Sequence, residues 1–259
     1  MTKRQYSVNH SPHAIRRSSG FRVSSVSGVT VTAVTHELIR AVRNGLADLA
    51  DPAKAPEMQR YMKSDMPFRG VPKPARAQLA RRLFAEHVIT DRATWQDTVR
   101  RLWHEATYRE ERYLAIELTG HRMARAWQDP DTVPLYQELI VTGAWWDFVD
   151  ELAIRRVGPI LRNYRDELTP LMRSWARHDD LWLRRAAVIC QVTAKDQTDP
   201  DLLADVIAAT LHDKDFFLRK GIGWALRDYA KTEPGWVRAF VDAHPDLSPL
   251  SRREALKHL

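Results

Sequence analysis

The segment WWDFVDELAI (145–154) ends in one copy of a short pattern that recurs along the chain. The pattern is a charged residue followed, two and three places later, by mostly apolar residues. Its copies are RAQLA, RYLAI, DELAI, RAAVI, KGIGW and REALK, which begin at Arg76, Arg112, Asp150, Arg185, Lys220 and Arg253. They lie 33 to 38 residues apart, which is the size of the helix-pair units of solenoid proteins. The spacing therefore predicts a stack of helix pairs.

The rest of the chain from Glu37 onward has a helical pattern. Apolar residues recur at spacings of three and four, for example in HELIRAVRNGLADLA (36–50) and TWQDTVRRLWHEA (94–106). Short links such as QDPD (128–131) and KTEPG (231–235) separate the helical segments. We expect an all-α protein, a superhelical solenoid of HEAT-like helix-pair repeats. Six tryptophans on amphipathic helices are expected to pack in its core: Trp95, Trp103, Trp127, Trp175, Trp182 and Trp236.

The positive charge is concentrated at the N-terminus. Of the net charge of +7, residues 1–36 supply five cations and no acid, so the remainder carries 35 basic and 33 acidic residues, or +2. We expect 1–36 to be a disordered basic tail, with a targeting peptide as the alternative, and 37–259 to be the repeat domain. Because the domain itself is nearly neutral, a DNA-binding face has to come from how its charges are arranged.

Other classes of site have little support in the sequence. The single Cys190 excludes a disulfide framework and a cysteine-based zinc site, and ten scattered histidines show no metal-ligand spacing. We expect no metal. No apolar run is long enough to span a bilayer, so we expect no membrane contact and a cytoplasmic protein, associated with the nucleoid when bound to DNA.

The charged positions of the repeat predict a binding surface. Equivalent residues of stacked repeats face the same way, so the five cations and Asp150 are expected to form a phosphate-binding column with one acid inside it. A solvated polar helix surface is the alternative. Lys220 and Arg112 are assigned to DNA binding on this basis.

Two indoles are expected beside this column. Trp146 precedes Asp150 by four residues and Trp224 follows Lys220 by four, so each shares a helix face with its column residue. Trp145 points elsewhere and is expected to be a core residue, with Asp147 as a helix N-cap. An ionised carboxylate at this place can stabilise positive charge developing on a sugar, by about 4 kcal/mol at ~4 Å and an effective dielectric near 20, or roughly a thousandfold in rate. That is enough only for a leaving base that is already cationic.

Five segments resemble the AlkD-type alkylpurine DNA glycosylases. They are PEMQRYMKSDMPFRGVPKPARAQL (56–79), LIVTGAWWDFVDELA (139–153), DDLWLRRAAVI (179–189), DKDFFLRKGIGWALRDYAKTEP (213–234) and LSPLSRREALKHL (247–259). The resemblance covers nearly all of 37–259 and leaves the N-terminal tail outside. The sequence departs from the family pattern at its C-terminus, where it stops at KHL (257–259) and a final helix is expected to be missing.

The resemblance implies a DNA repair glycosylase with a concave, positively charged DNA-binding surface. The activity is hydrolysis of the N-glycosidic bond of cationic N3- and N7-alkylated purines such as 3-methyladenine and 7-methylguanine, without a cofactor and without obligatory base flipping, which leaves room for bulky adducts. The implied catalytic residues are Asp150, Trp146 and Trp224, and the implied DNA contacts are Tyr61, Arg185 and Arg227.

The expected partner is double-stranded DNA that contains alkylated purines, bound by a monomer. A non-catalytic DNA-binding or scaffold HEAT-repeat protein is the main alternative, and a protein-binding adaptor is a second one.

Overall fold

The computed structural model describes residues 27–259, and within this range the chain forms fourteen α-helices and no β-strand. The predicted all-α class is confirmed. No helix of the described range combines the length and the apolar character needed to cross a membrane. The helices are α1 (Ser27–Asp48), α2 (Ala55–Met62), α3 (Lys73–Glu86), α4 (Arg92–His104), α5 (Arg109–Thr119), α6 (Val133–Gly143), α7 (Trp146–Leu152), α8 (Gly158–Asn163), α9 (Arg165–Trp175), α10 (Leu181–Ile189), α11 (Pro200–Thr210), α12 (Phe216–Tyr229), α13 (Pro234–Ala243) and α14 (Pro249–Ala255).

The helices form two layers of a HEAT-like solenoid. In the inner layer α3, α5, α7, α10, α12 and α14 each pack against the next. The outer layer contains α1, α4, α6, α9, α11 and α13, which pack on the backs of the inner helices. Each of the six charged pattern residues lies on a different inner helix, from Arg76 on α3 to Arg253 on α14. The predicted repeat register is therefore confirmed.

One continuous apolar core runs between the layers. Trp95, Trp103 and Trp175 are fully buried in it, Trp182 is buried at its edge, and Trp127 and Trp236 pack against it. The prediction that these six indoles are packing residues is confirmed. Burying a large aromatic side chain stabilises the fold by a few kcal/mol at about 25 cal/mol per Å², so these indoles contribute to holding the two layers together.

Aspartates begin several of the helices. The side chains of Asp91, Asp180 and Asp215 accept hydrogen bonds from backbone N–H groups in the first turns of α4, α10 and α12. These N–H groups have no partner inside the helix. The capping carboxylates therefore fix where α10 and α12 begin, and both helices carry residues of the site described below.

Helix α1 crosses the expected boundary between tail and domain. It begins at Ser27, ten residues before the domain start expected at Glu37, and Thr35 on it is fully buried and within 2.9 Å of Thr98 Oγ1 on α4. Residues 27–36 thus belong to the outer layer instead of a tail. The remainder of the predicted tail, residues 1–26, lies outside the described range.

A π-helical turn, Ala153–Val157, joins α7 to α8. Pro159 has no N–H to donate to the carbonyl of Arg155, and its ring would collide with that carbonyl in a regular α-helix. Instead, the N–H of Gly158 donates to Ala153 O, five residues earlier, and Arg156 Nη1 donates to the carbonyl of Arg155 at 3.0 Å. One extra residue in this turn rotates the side chains that follow relative to a regular helix.

The loop after α2 is fastened to the inner layer by a buried carboxylate. Glu110 on α5 is fully buried and accepts the backbone N–H groups of Arg69, Gly70 and Val71 at 2.9 to 3.1 Å. Gly70 has a φ of 81°, and a Cβ there would lie 2.1 Å from the carbonyl oxygen of Asp51. This attachment places α2 beside the inner helices, where it forms one wall of a groove.

Candidate active site

A groove of about 680 Å³ lies on the open face of the inner helices, bounded on one side by α2. It is lined by Trp146 and Asp150 of α7, Trp224 of α12 and Tyr61 of α2. Apolar side chains such as Met58 and Ile154 cover much of the remaining surface. The carboxylate and both indoles expected to act together thus lie in one groove, although they are up to 78 positions apart in the sequence.

Arg185 on α10 holds the carboxylate of Asp150. Its Nε and Nη2 atoms donate to the two carboxylate oxygens at 2.8 Å each, and its Nη1 donates to the carbonyl of Phe217. The Arg185 side chain is 5% exposed and that of Asp150 16%. A bidentate pair of this kind fixes the orientation of the carboxylate as well as its charge. Arg185 therefore positions Asp150, and little of its guanidinium remains open to a DNA phosphate.

Two opposing effects act on the protonation of Asp150. Burial raises the pKa of its carboxyl above the ordinary value, the hydrogen bonds and charge of Arg185 lower it, and the neighbouring Asp147 raises it. A guanidinium remains protonated at any physiological pH, so the form that accepts both of its hydrogen bonds is the carboxylate. The site thus presents a negative charge at neutral pH inside a partly dehydrated wall.

The two adjacent indoles of the WW pair point in different directions. Trp145 packs against Trp182 and Phe217, with ring centroids 6.0 and 5.3 Å away. Trp146, the first residue of α7, lines the groove. As expected, Trp145 packs against other aromatic side chains and Trp146 lines the groove. Trp224 lines the same groove from α12 and is also half-buried.

Asp147 is not the helix cap that the sequence analysis expected. The N-cap position of α7 is Trp145, and no side chain caps it. Asp147 instead accepts a hydrogen bond from Arg109 Nη2 at 2.8 Å and one from the Tyr113 hydroxyl at 2.5 Å. Burial, together with the charge of Asp147, raises the pKa of the Tyr113 hydroxyl. The reason lies in the tertiary structure. Helix α5 places two hydrogen-bond donors, Arg109 and Tyr113, beside Asp147, and its carboxylate accepts from them instead of from the backbone N–H groups of α7.

The expected column of phosphate-binding cations is largely occupied by ion pairs. Arg76 is buried and pairs with Glu117, with Nε 3.4 Å from the carboxylate. Lys220 and Arg227 both hold Glu254 of α14, Lys220 Nζ at 2.6 Å. The column is therefore not a continuous open stripe, because acids on neighbouring inner helices neutralise Arg76, Arg185 and Lys220.

Two other residues that were expected to contact DNA, Arg112 and Tyr61, take part in none of these ion pairs. Arg112 lies over the ring of Trp103, its guanidinium carbon 4.8 Å from the centroid, and does not line the groove. Tyr61 is 74% exposed at the mouth of the groove. DNA binding by Tyr61, Arg112, Arg185, Lys220 and Arg227 stays a prediction.

Sequence reasoning missed several groove residues. Lys73 at the start of α3 and Arg155 in the π turn line the groove, and Arg109 and Tyr113 fix Asp147 beside it. The Gly-Pro pair at 158–159, inside an otherwise helical segment, is the signal that indicates an irregular turn near Asp150. Nothing in the sequence pattern indicates the partners of Asp147.

Metal ligation has no visible support in the described part of the chain. No three His, Cys, Asp or Glu side chains there come together as metal ligands would. The acids of the groove are engaged by arginines instead, as for Asp147 and Asp150.

Fold and groove together define a class: a helical-repeat protein whose inner face carries a groove lined by an arginine-held carboxylate and two indoles. The family model for DNA alkylation repair enzymes matches residues 42–259. The chain belongs to this family.

Solved structures agree with this assignment. A predicted DNA alkylation repair enzyme from Enterococcus faecalis is 30% identical, with a TM-score of 0.74, over 81% of this chain and 96% of that one. AlkD2 from Streptococcus mutans is 19% identical, with a TM-score of 0.56, over 70% of this chain and 88% of that one. The protein smu.31 from Streptococcus mutans UA159 is 18% identical, with a TM-score of 0.55, over 70% and 90% of the two chains. The last two likenesses concern the fold alone. No curated protein matches the chain significantly.

Proposed function

We propose that this protein is a DNA glycosylase that hydrolyses the N-glycosidic bond of cationic N3- and N7-alkylated purines in double-stranded DNA. The observation that carries the proposal is the position of Asp150. Its carboxylate is oriented by two hydrogen bonds from Arg185 and lines a groove that two indoles also line. Membership of the DNA alkylation repair enzyme family supports it.

In the proposed reaction the bond between C1′ of the deoxyribose and the purine nitrogen breaks. Its electron pair leaves with the purine and neutralises the positive charge that alkylation had placed there, so the base departs neutral without being protonated. The sugar becomes an oxocarbenium-like cation, and the Asp150 carboxylate stabilises it. Water then adds to C1′ and loses its proton, which leaves an abasic site.

The pairing of Asp150 with Arg185 suits this role. A carboxylate that already has a fixed orientation needs no reorganisation when the sugar charge develops. The interaction is stronger in a partly dehydrated wall than in water. One ion-pair contact still supplies only roughly a thousandfold in rate, at about 1.4 kcal/mol per tenfold, which suits a pre-activated cationic base better than a neutral purine.

Trp146 and Trp224 are proposed to contact the deoxyribose of the damaged nucleotide. The faces of indole rings attract cations, so rings that line the same groove as Asp150 assist the same developing charge. Both are half-buried and packed against the core. Their positions therefore change little when DNA enters.

The proposal is tested by the variant Asp150→Asn, which keeps the shape of the side chain and removes its charge. We expect the wild type to release 7-methylguanine from methylated duplex DNA, and the variant to release it roughly a thousandfold more slowly. The measurement is the single-turnover rate of base release, followed by chromatography. Asp205→Asn is the matched control, because Asp205 pairs with Arg173 through a contact of 2.7 Å outside the groove.

Stability and DNA affinity have to be measured alongside the rate, because Asp150→Asn leaves the Arg185 charge buried without its partner. The double variant Asp150→Asn with Arg185→Gln removes both charges, so that no unpaired charge is left buried at the site. If either variant that folds and binds DNA still releases the base at the wild-type rate, the catalytic role of Asp150 is refuted. A wild type that binds DNA and releases no base indicates the non-catalytic DNA-binding alternative.

A further inference from the structure

Each acidic side chain that lines the groove is paired with an arginine. The pairs are Glu117 with Arg76, Asp147 with Arg109, Asp150 with Arg185 and Glu151 with Arg156, at distances of 2.8 to 3.4 Å. The charges within each pair cancel. A phosphate entering the groove therefore meets neither an unpaired carboxylate nor, in these four arginines, an unpaired cation among the described residues.

Two further cations line the same groove and have no such partner. Within the described residues, the side chains of Lys73 and Arg155 form no ion pair and no hydrogen bond, and both residues are exposed. Lys73 lies at the start of α3, and Arg155 lies on the π turn that follows α7. Since the four acid–arginine pairs sum to zero, these two residues give the groove its surplus of positive charge.

The local backbone explains why Arg155 lies in the groove. It follows Asp150 by five residues, whereas neighbours on one face of a regular α-helix are three or four apart. The π turn has a hydrogen bond from Gly158 N to Ala153 O, five residues back, and Arg155 follows Glu151, which also lines the groove, by four residues. A cation therefore lines the groove on the same side as Glu151.

We propose that Lys73 and Arg155 are the residues that hold the DNA phosphates flanking the damaged nucleotide, an inference that rests on the function proposed above. An ammonium and a guanidinium with unused N–H donors are the groups that bind phosphate in proteins. Arg185 is less suited to this role, because its side chain is 5% exposed and its Nε, Nη1 and Nη2 already donate to Asp150 and to the carbonyl of Phe217. Phosphate binding and carboxylate positioning are therefore divided between different cations.

The test is the salt dependence of DNA affinity. The probe is a short duplex with a tetrahydrofuran abasic site, and its dissociation constant is measured by fluorescence anisotropy over a range of KCl concentrations. Each phosphate contact contributes about 0.9 to the slope of log affinity against log salt concentration. We expect Arg155→Gln and Lys73→Gln each to reduce the magnitude of the slope by about 0.9. Arg155→Lys keeps a charge and is expected to keep the slope.

Arg238→Gln is the matched control, because Arg238 is an exposed cation on the outer helix α13; its slope is expected to equal that of the wild type. Equal slopes for the wild type, Arg155→Gln and Lys73→Gln overturn the inference while leaving the proposed function intact. Reduced slopes in a protein that releases no base overturn the proposed function and support the phosphate contacts. A wild type that does not bind duplex DNA overturns both.

Discussion

At the scale of single residues, the chemistry depends on how Asp150 is surrounded. Burial and Asp147 raise the pKa of its carboxyl, whereas Arg185 lowers it. Removing Arg185 alone would leave a buried carboxylate with no cation to favour its ionised form. The same pair therefore affects both the ionisation of Asp150 and its orientation.

The rate of base release at acidic pH tests how the neighbouring charges shift the pKa of Asp150. In the proposed mechanism the ionised Asp150 is the active form, so kcat/KM is expected to fall as the pH falls through its pKa, which burial raises above the ordinary 3.8. Because the Asp147 charge also raises that pKa, Asp147→Asn is expected to move the acidic limb to lower pH. The measurement is base release against pH, corrected for release without protein.

Asp205→Asn again serves as the control, since its carboxylate lies outside the groove and its loss is expected to leave the acidic limb in place. If Asp147→Asn folds and releases the base with an acidic limb at the same pH as the wild type, that result contradicts the proposed electrostatic coupling between Asp147 and Asp150.

At the scale of secondary-structure elements, neighbouring inner helices have to approach closely for the site to form. Arg185 extends from α10 between α7 and α12, where it binds Asp150 and the carbonyl of Phe217. The absence of a side chain at Gly221 on α12 leaves room for the guanidinium, because a Cβ there would lie 3.1 Å from Arg185 Nη1. Gly221, which does not line the groove, thus helps to position the carboxylate of Asp150 through Arg185.

Gly221→Ala is expected to slow base release several-fold, because the added methyl group displaces Arg185 and with it Asp150, and small displacements of catalytic groups are costly. Alanine also favours the helix by up to about 1 kcal/mol, so the variant is expected to fold. The measurement is the single-turnover rate together with thermal unfolding.

Gly235→Ala provides the comparison, since a Cβ at Gly235 on α13 meets nothing within 4 Å. It is expected to leave the rate unchanged. Equal rates for the two alanine variants would show that Arg185 accommodates the methyl group without moving Asp150.

At the scale of the whole molecule, the solenoid is held by contacts between successive repeats. The last inner helix, α14, is fastened to α12 by Glu254, which accepts from Lys220 and Arg227. The hydrogen bond from Lys220 is the main reason that the pKa of Glu254 is lowered below its ordinary 4.5. Since Trp224 lies on α12, this attachment bears on the site as well as on stability.

Acid is expected to weaken this attachment. A carboxyl whose pKa is lower in the folded protein stabilises it above the unfolded value of about 4.5 and ceases to do so as the pH falls through the folded value. Glu254→Gln is expected to lower the free energy of unfolding by about 1 kcal/mol at pH 7, because the cations are partly exposed. Urea titrations of both proteins at several pH values measure this difference.

The difference between the wild type and Glu254→Gln is expected to shrink toward zero as the pH falls below 4.5. Glu86→Gln, at an exposed position at the end of α3, is expected to show no such pH-dependent difference. A difference for Glu254→Gln that is constant from pH 7 to strongly acidic pH would show that the ion pairs do not stabilise the docking of α14.

The sequence by itself determined the all-α class and the repeat, and it named the candidate residues Trp146, Asp150 and Trp224 that the structure brings into one groove. Apolar periodicity and repeat spacing are local properties of the chain, and they were sufficient to place Arg112, Asp150 and Arg185 on successive inner helices. The i to i+4 geometry of one helix was sufficient to put Trp146 beside Asp150.

Only the tertiary structure decided which charges are paired. Which arginine binds which carboxylate depends on contacts between helices that lie some 30 to 40 residues apart, as for Arg185 with Asp150 and Arg109 with Asp147. The sequence pattern shows which residues share a helix face, but it does not show what they contact. An arginine on that face can bind a phosphate or form an ion pair with an acid on the neighbouring helix. The packing of the inner layer settles which of the two contacts is already made before DNA arrives.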